Sequence, residues 1–244
     1  MPAAHDPRHN HLLAALPGDE YVRLLPKLEE TPMRLGEVLC TAGSRMRHVY
    51  FPTDSIVSLL YATEEGASTE VAVIGNEGII GISLVMGGET MFGQAVVLSE
   101  GTAYRLNAQV LKDEFNRTGG RRKGVLHALL LRYVRMRLIQ TAQTAVCNRH
   151  HSVNQQLCNW LLLSLDRLSS NELTMTHEVM ASMIGVRREA ITEAAGKLQR
   201  AGVIAYQRGH ITVLDRAGLE AQACECYAVV SKESGRLLRE VTVQ

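Results

Sequence analysis

Residues 174–214 constrain the fold more than any other part of the chain, because small, glycine and branched apolar residues recur there at fixed spacing. The stretch reads TMTHEVMASMIGVRREAITEAAGKLQRAGVIAYQRGHITVL. If His177 opens a two-helix unit, Ala181 falls fifth, Gly185 ninth and Ile191 fifteenth. A steep helix crossing needs a small side chain, the turn needs a residue that accepts φ > 0, and the second helix needs an apolar anchor. The spacing therefore predicts a helix-turn-helix.

Two short β-rich runs, VIAY and ITVL, follow the second helix and are joined by Gln207-Arg208-Gly209-His210. Gly209 suits a hairpin turn that requires φ > 0. A hairpin directly after a helix-turn-helix is typical of winged helix-turn-helix modules, which place the second helix in the major groove of DNA. The alternative is an ordinary helical hairpin with solvated charges.

The outer side of the second helix carries side chains suited to DNA. At its N-terminal end, arginine can pair with guanine and glutamate can accept from cytosine. Basic residues further along suit phosphate oxygens, and basic residues at the hairpin tip suit a phosphate or a minor groove. The predicted DNA-binding residues are Arg187, Arg188, Glu189, Thr192, Glu193, Lys197, Arg200, Arg208 and His210.

Composition places the chain among ordinary globular proteins. Of its 244 residues 46% are hydrophobic and 21% charged, with a formal net charge of +1. Attraction to nucleic acid must therefore be local. No apolar run approaches the roughly 20 residues of a membrane span, and the N-terminus lacks a signal-peptide pattern. Five scattered cysteines make no disulfide framework. We expect a cytoplasmic protein without a membrane partner.

The N-terminal half has the period-2 rhythm of short strands. From about residue 31 to 107, runs such as HVYFP, SIVSLLYAT and QAVVLSEGTAYRLNA are separated by turn residues. Strands of this length and spacing predict an antiparallel β jelly roll, and helical spacing over residues 10–30 predicts two short helices before it.

Residues 120–147 form one helical segment without proline, with apolar side chains too numerous for a single narrow stripe. One face can pack on the β domain and another on a second copy of the chain. Residues 148–151 are interpreted as a hinge, a Ser152/Gln155 capping box as the start of the next helix, and residues 217–240 as a final helix.

The expected fold is therefore α+β, in three parts. An antiparallel β jelly roll occupies residues 1–118 with its N-terminal helices. A dimerisation helix occupies residues 119–148, and a winged helix-turn-helix with a C-terminal helix occupies residues 149–244.

This order of parts resembles the Crp/Fnr superfamily of bacterial transcription regulators, most clearly in MTHEVMASMIGVRREAITEAAGKLQRAGVI and LGEVLCTAGSRMRHVYFPTDSIVSLL. The resemblance implies that the β jelly roll is of the cyclic nucleotide-binding type. It also implies a homodimer, joined through the long helix, that binds a two-fold symmetric operator in double-stranded DNA. It implies Arg188-Glu189 as the pair that contacts bases, whereas Glu193 stands where the family often has arginine. RNA polymerase is a further candidate partner.

Members of this family that bind cyclic nucleotides carry a glycine-glutamate pair and, further along, an arginine for the phosphate. Here Ile82 replaces the glutamate and Phe92-Gly93 replaces arginine-serine. An apolar group cannot neutralise a phosphate, so we expect cAMP and cGMP not to bind in the family's usual way. The resemblance implies these candidate positions for an unidentified small-molecule effector: Gly81, Ile82, Ser83, Phe92, Gly93, Gln94, Arg132 and Tyr133.

Two groups of residues have spacings like those of metal ligands: Cys147 with His150 and His151, and Cys224-x-Cys226. Neither is a four-ligand set, so we predict no metal and no cofactor. Iron–sulfur members of the family need an N-terminal cysteine cluster, which this chain lacks before Cys40. A redox role stays open for Cys147, Cys158, Cys224 and Cys226.

Two other functions fit a jelly roll. A metal-dependent, cupin-like enzyme would need two or three histidines and a carboxylate on adjacent strands, yet His48 is the only histidine between residues 31 and 107. An effector-binding signalling module without DNA contact would leave the Arg187–Glu189 cluster and the hairpin unexplained. We therefore predict a sequence-specific transcription regulator and not an enzyme.

Overall fold

The structure is a computed structural model and describes residues 6–65, 68–119, 122–168 and 170–239. The helices are α1 (His11–Ala14), α2 (Gly18–Leu24), α3 (Ala108–Asn116), α4 (Val125–His150), α5 (Val153–Leu165), α6 (His177–Ile184), α7 (Arg188–Arg200), α8 (Arg216–Gln222) and α9 (Glu225–Arg239). Among these described residues, no helix is both long and apolar enough to cross a membrane.

The strands form two groups, one in each half of the chain. They are β1 (Glu29–Met33), β2 (Val38–Cys40), β3 (His48–Pro52), β4 (Ile56–Ala62), β5 (Ser68–Ile74), β6 (Gln94–Ser99), β7 (Gly101–Asn107), β8 (Thr118–Gly119), β9 (Arg122–Lys123), β10 (Glu172–Thr174), β11 (Ile204–Gln207) and β12 (His210–Val213). A 3-10 helix over Ile82–Met86 separates β5 from β6.

The predicted antiparallel β domain is confirmed. Its strands form two sheets, in the orders β1-β7-β3 and β2-β6-β4-β5. Alternation along each strand places one face inside, where Phe51, Val57 and Leu106 are buried. Helices α1, α2 and α3 and the first half of α4 add Leu12 and Leu129 to the same core.

The long helix is displaced from its predicted limits of 120 and 147. Strands β8 and β9 instead pair antiparallel just before the helix, and α4 begins at Val125. The carboxylate of Glu20 in α2 accepts hydrogen bonds from the backbone N–H groups of Val125 (2.8 Å) and Leu126 (2.9 Å). These are two of the N–H groups that a helix start leaves unpaired, so a residue about a hundred positions away caps the helix.

The prediction of a hinge over residues 148–151 is wrong in its position. Helix α4 continues through His150, and the chain leaves the helix only at His151, where ψ is 152°. The predicted capping box is confirmed, since the Ser152 hydroxyl accepts from the Gln155 N–H and the Gln155 side chain accepts from the Ser152 N–H. The break between α4 and α5 is therefore two residues long.

The predicted final helix over residues 217–240 is two helices, α8 and α9. Ala223 between them is extended, with ψ of 161°. The N–H of Cys224 donates to Oδ1 of Asn159 in α5 (3.1 Å). This bond to a neighbouring helix replaces an intrahelical one and redirects the chain.

The C-terminal module packs on the β domain through polar as well as apolar contacts. Helices α5 to α8 and the sheet β10-β12-β11 enclose a second core, which includes Ile56 and Val73 of the β domain. Trp160 Nε1 donates to the Glu70 carboxylate (2.9 Å), and Arg167 Nε donates to the Glu77 carboxylate (2.7 Å). The β domain and the helix-turn-helix thus share one interface.

Candidate nucleic-acid interface

The bend between α6 and α7 has the geometry that the sequence predicts. Thr176 caps α6, Ala181 is buried at the crossing, and Gly185 ends α6 with φ of 77°. Ile191 has no exposed surface and anchors α7 in the core. The left-handed backbone at Gly185 is the reason that glycine is needed there.

Helix α7 is amphipathic in the sense needed for docking. Its buried side consists of small and branched apolar residues, Ile191, Ala194, Ala195 and Leu198. All nine predicted DNA-binding side chains, from Arg187 to His210, are exposed. The helix therefore stands on its apolar side and presents its polar side.

The charged side chains at the start of α7 differ in pairing from two that lie further along the helix. Among the described residues, the guanidinium groups of Arg187 and Arg188 form no salt bridge. Lys197 Nζ lies 2.8 Å from Glu193 Oε1, one helical turn away. Its ammonium group lowers the pKa of the Glu193 carboxyl. Glu193 is thus an anion already paired, whereas the arginines are available to an external acceptor.

The predicted hairpin is present and has a third strand. Arg208 (φ 49°) and Gly209 (φ 83°) connect β11 to β12 between the paired residues Gln207 and His210. Positive φ at both central residues is the signature of a type I′ turn. On the other side of β12, Oγ1 of Thr174 in β10 lies 3.3 Å from Nδ1 of His210. The wing is therefore a braced sheet with Arg208 at its exposed tip.

The eight effector candidates lie in three segments of the chain, residues 81–83, 92–94 and 132–133. Gly81, at φ of 99°, precedes the 3-10 helix that holds Ile82 and Ser83. Phe92 points outward with 72% of its surface exposed. A Cβ on Gly93 would lie 2.5 Å from the Leu60 carbonyl oxygen, so Gly93 permits close packing of strands.

The remaining three effector candidates lie at the start of β6 and in α4. Gln94 is the half-buried first residue of β6. Arg132 lines a shallow pocket between α4 and α9 with Glu233. Tyr133 is completely buried, and a Cβ on Gly78 would lie 2.3 Å from its hydroxyl. The fold does not bring the Tyr133 hydroxyl to an accessible surface.

Sequence reasoning missed the carboxylate of Glu70. It is buried in β5, and desolvation raises its pKa to about 7. It faces a cavity of about 70 Å³ between β5, α4, α5 and α9. A signal was present in the sequence, because period-2 alternation puts Glu70 on the same side of β5 as buried Ala72 and Ile74.

The two incomplete ligand sets of the sequence form a single cluster. Cys147 and His151, at the end of α4, lie beside Cys224 and Cys226, at the start of α9. The prediction of two separate groups is therefore wrong. The fold brings Cys147 and Cys224 together although they are 77 positions apart in the chain. Cys158 is buried outside this cluster, and His150 is exposed.

Two domain families match the chain. Residues 31–118 match the cyclic nucleotide-binding domain, and residues 155–222 match the Crp-like helix-turn-helix domain. The transcriptional regulator LdrP of Thermus thermophilus is 27% identical over 173 residues, covering 67% of this chain and 87% of that protein. The global nitrogen regulator of Synechococcus elongatus is 22% identical over 197 residues, covering 77% and 86%.

Solved structures share the fold over most of the chain. A transcriptional regulator of the Crp/Fnr family from Eubacterium rectale has a TM-score of 0.67 at 16% identity and covers 88% of this chain and 98% of its own. The c-di-GMP responsive global regulator CLP of Xanthomonas campestris has a TM-score of 0.61 at 15% identity, with coverage of 81% and 99%. Both the β domain and the winged module therefore occur together in known proteins.

Proposed function

This chain belongs to the Crp/Fnr superfamily of transcription regulators, and we propose that it is a cytoplasmic homodimer that binds a two-fold symmetric operator. Helix α7 of each protomer would enter a major groove, with the two half-sites about 34–36 Å apart on one side of the duplex. Arg188 and Glu189 would read base edges, and Lys197 and Arg200 would contact phosphates.

The observation that carries this proposal is the presentation of α7. Arg187 is its N-cap residue, and Arg188 and Glu189 lie in its first turn. All three are exposed, and the opposite side of the helix is anchored by fully buried Ile191. Bidentate arginine contacts to guanine need such unpaired guanidinium groups at the leading end of the helix. The braced wing adds Arg208 beside it for a phosphate or a minor groove.

The exposed side of α4 supports the homodimer. Leu131 and Leu138 are seven residues apart and exposed, and Ala145 continues the same line. A seven-residue repeat of apolar residues on one helix face is what a partner helix packs against in a coiled coil. The occupant would be α4 of a second copy, since two such stripes are self-complementary about a two-fold axis.

The β domain would sense a small molecule other than cAMP or cGMP bound in the family's usual manner. Ile82 and outward-pointing Phe92 supply no charge for a cyclic phosphate. Binding of the effector would shift the population between two orientations of the winged modules. Calorimetric titration with cAMP is expected to show no binding, and micromolar affinity would overturn this part of the proposal.

Selection of bound fragments from a random duplex library tests the DNA-binding proposal. The expected product is a palindromic motif whose half-sites are about one helical turn apart. Enrichment of a single asymmetric half-site would contradict the homodimer, and enrichment of no motif would contradict sequence-specific binding.

A further inference from the structure

Four side chains capable of binding a metal meet where α4 ends and α9 begins. Cys147 is in the last turn of α4 and His151 follows it, while Cys224 precedes α9 and Cys226 lies in its first turn. One ligand atom from each lies within 4.8 Å of all the others. The three sulfur atoms are buried, and His151 has 14% of its side chain exposed.

The distances suit one tetrahedral ion. Cys147 Sγ lies 3.7 Å from Cys224 Sγ, and Cys226 Sγ lies 3.6 Å from His151 Nδ1. Bonds of about 2.3 Å to sulfur and about 2.0 Å to nitrogen imply tetrahedral edges of about 3.8 Å and about 3.5 Å. The thiols are not joined in disulfides. Ligand atoms this close leave no space for the inorganic sulfides of an iron–sulfur cluster.

Neighbouring polar groups orient the four ligands. Asn159 Nδ2 in α5 donates to Cys224 Sγ (2.7 Å) and to Cys147 Sγ (3.4 Å). His151 Nε2 lies 3.4 Å from the carboxylate of Glu225, which directs Nδ1 towards Cys226. A histidine that binds a metal through one nitrogen commonly donates its other N–H to a carboxylate.

We propose that Cys147, His151, Cys224 and Cys226 form a zinc site. Three thiolates and one imidazole are a soft donor set that favours Zn²⁺ over harder divalent ions. All four positions of the tetrahedron come from the protein, so the ion has no open position for a substrate and its role is structural. Cys147 and Cys226 also line the cavity beside Glu70.

The position of the site defines what the ion holds together. It joins the end of α4, the helix with the exposed leucine stripe, to the start of α9, and Asn159 links both to α5 of the winged module. Only two residues connect α4 to α5 along the chain. A bound ion would therefore fix the angle between the long helix and the DNA-binding module.

Metal content of the untagged full-length protein tests the site. After equilibration with zinc sulfate under reducing conditions and desalting, we expect about one Zn²⁺ per chain by mass spectrometry. The Cys224→Ser/Cys226→Ser double variant is expected to retain less than about a tenth of this metal. Cys40→Ser is the matched control, because Cys40 lies in β2, outside the cluster, and should leave the zinc content unchanged.

Cobalt binding to the wild-type protein provides a second measurement, which does not depend on whether the double variant folds. Co²⁺ added to the wild-type protein should give the intense visible absorption and the thiolate charge-transfer band of tetrahedral S₃N coordination. Glu225→Gln, at a largely exposed position, should weaken cobalt affinity by about 10–100-fold. Glu172→Gln, an exposed residue of β10, is its control and should not change the affinity.

Four outcomes would overturn the proposal. They are a zinc-free wild-type protein after equilibration, equal zinc in the wild-type protein and the double variant, weak octahedral cobalt absorption, and a Cys147–Cys224 disulfide in protein alkylated during isolation. Equal zinc in both proteins would assign the ion to another site, and a disulfide would assign the thiols to redox chemistry.

Discussion

Nδ1 of His177 lies 3.0 Å from Oγ1 of Thr192, and this contact joins the first helix of the helix-turn-helix to the second. Thr192 Oγ1 donates to the Arg188 carbonyl oxygen (3.1 Å), so its lone pairs accept from the imidazole. The same ring stacks on Tyr206 of the wing, with centroids 4.2 Å apart. One histidine thus links α6, α7 and the wing.

His177→Ala is expected to destabilise the protein by about 1 kcal/mol, because a hydrogen bond and a ring contact are lost together. Urea unfolding near neutral pH measures this change. The control is His150→Ala, at an exposed position at the end of α4, which should change the free energy of unfolding much less. Equal effects of the two substitutions would contradict the tie at His177.

The neutral form of His177 is the one that the fold favours. Burial, and then the charge of Arg188, lower the pKa of His177 below its ordinary 6.5. The unfolded chain therefore takes up a proton first as the pH falls. The contribution of neutral His177 to the free energy of unfolding is therefore complete above about pH 6.5. It is lost as the pH falls from there through the folded-state pKa.

Comparison of wild type with His177→Gln at about pH 7.5 and about pH 5.5 isolates this pH dependence. The difference between the two free energies of unfolding should narrow at the lower pH, because glutamine has no proton to take up. A difference that stays constant, or widens, would show that His177 does not carry the effect.

Arg188→Ala and Lys197→Ala should affect different properties of operator binding, sequence discrimination in the first and general affinity in the second. Fluorescence anisotropy measures both. Arg188→Ala is expected to lose about 1–3 kcal/mol of specific affinity and to relax discrimination at one base pair, because it would remove the proposed base contact. Lys197→Ala should weaken binding to all DNA sequences alike and reduce the salt dependence of binding, because it would remove the proposed phosphate contact. Unchanged discrimination in Arg188→Ala would contradict the assignment of the recognition helix.

Local rules predicted the elements of this fold well, and long-range contacts explain where they failed. The turn at Gly185 and the Ser152 capping box follow from nearby residues, and both are present. The start of α4 depends on Glu20, which lies too far from Val125 in the sequence for any local pattern to include both residues. Likewise, spacing in the sequence could not show that Cys147 and Cys224 lie 3.7 Å apart. The effector candidates came from alignment to a family pattern, which does not show whether a side chain is accessible. Tyr133 is an example, since the fold buries it completely.

The exposed stripe of α4 makes a prediction about assembly. Leu138→Asp places a charge where a partner helix would pack and is expected to convert a dimer to a monomer, since an unpaired charge buried in an apolar seam is strongly unfavourable. Light scattering measures the mass, and operator affinity should fall at least about tenfold with the loss of the second half-site.

The matched control is Val22→Asp in α2, because Val22 and Leu138 have similar exposures of 66% and 62%. It should leave the mass unchanged. A Leu138→Asp protein that remains dimeric would place the interface elsewhere, and a wild-type protein that is already monomeric would contradict the proposed homodimer directly.

Glu70 predicts a transition near neutral pH that reports on the interface between the β domain and the winged module. Desolvation raises its pKa from 4.5 to about 7 in the folded protein. Between these values the unfolded chain is ionised and the folded chain is not. The contribution of protonated Glu70 to the free energy of unfolding is therefore complete below about pH 4.5 and is lost as the pH rises to about 7. Integrated over this interval, the loss is on the order of 3 kcal/mol.

Glu70→Gln keeps an oxygen to accept from Trp160 Nε1 but has no proton to release. The variant is therefore expected to be more stable than wild type near pH 8, with a difference that shrinks as the pH falls towards 5. Trp160, the only tryptophan, makes the same step visible, because wild-type fluorescence should shift near pH 7 and the variant's should not. Glu64→Gln, in an exposed turn, should retain the wild-type transition. A fluorescence transition that survives in Glu70→Gln would assign the proton to another group and leave Glu70 as a neutral acid across this range.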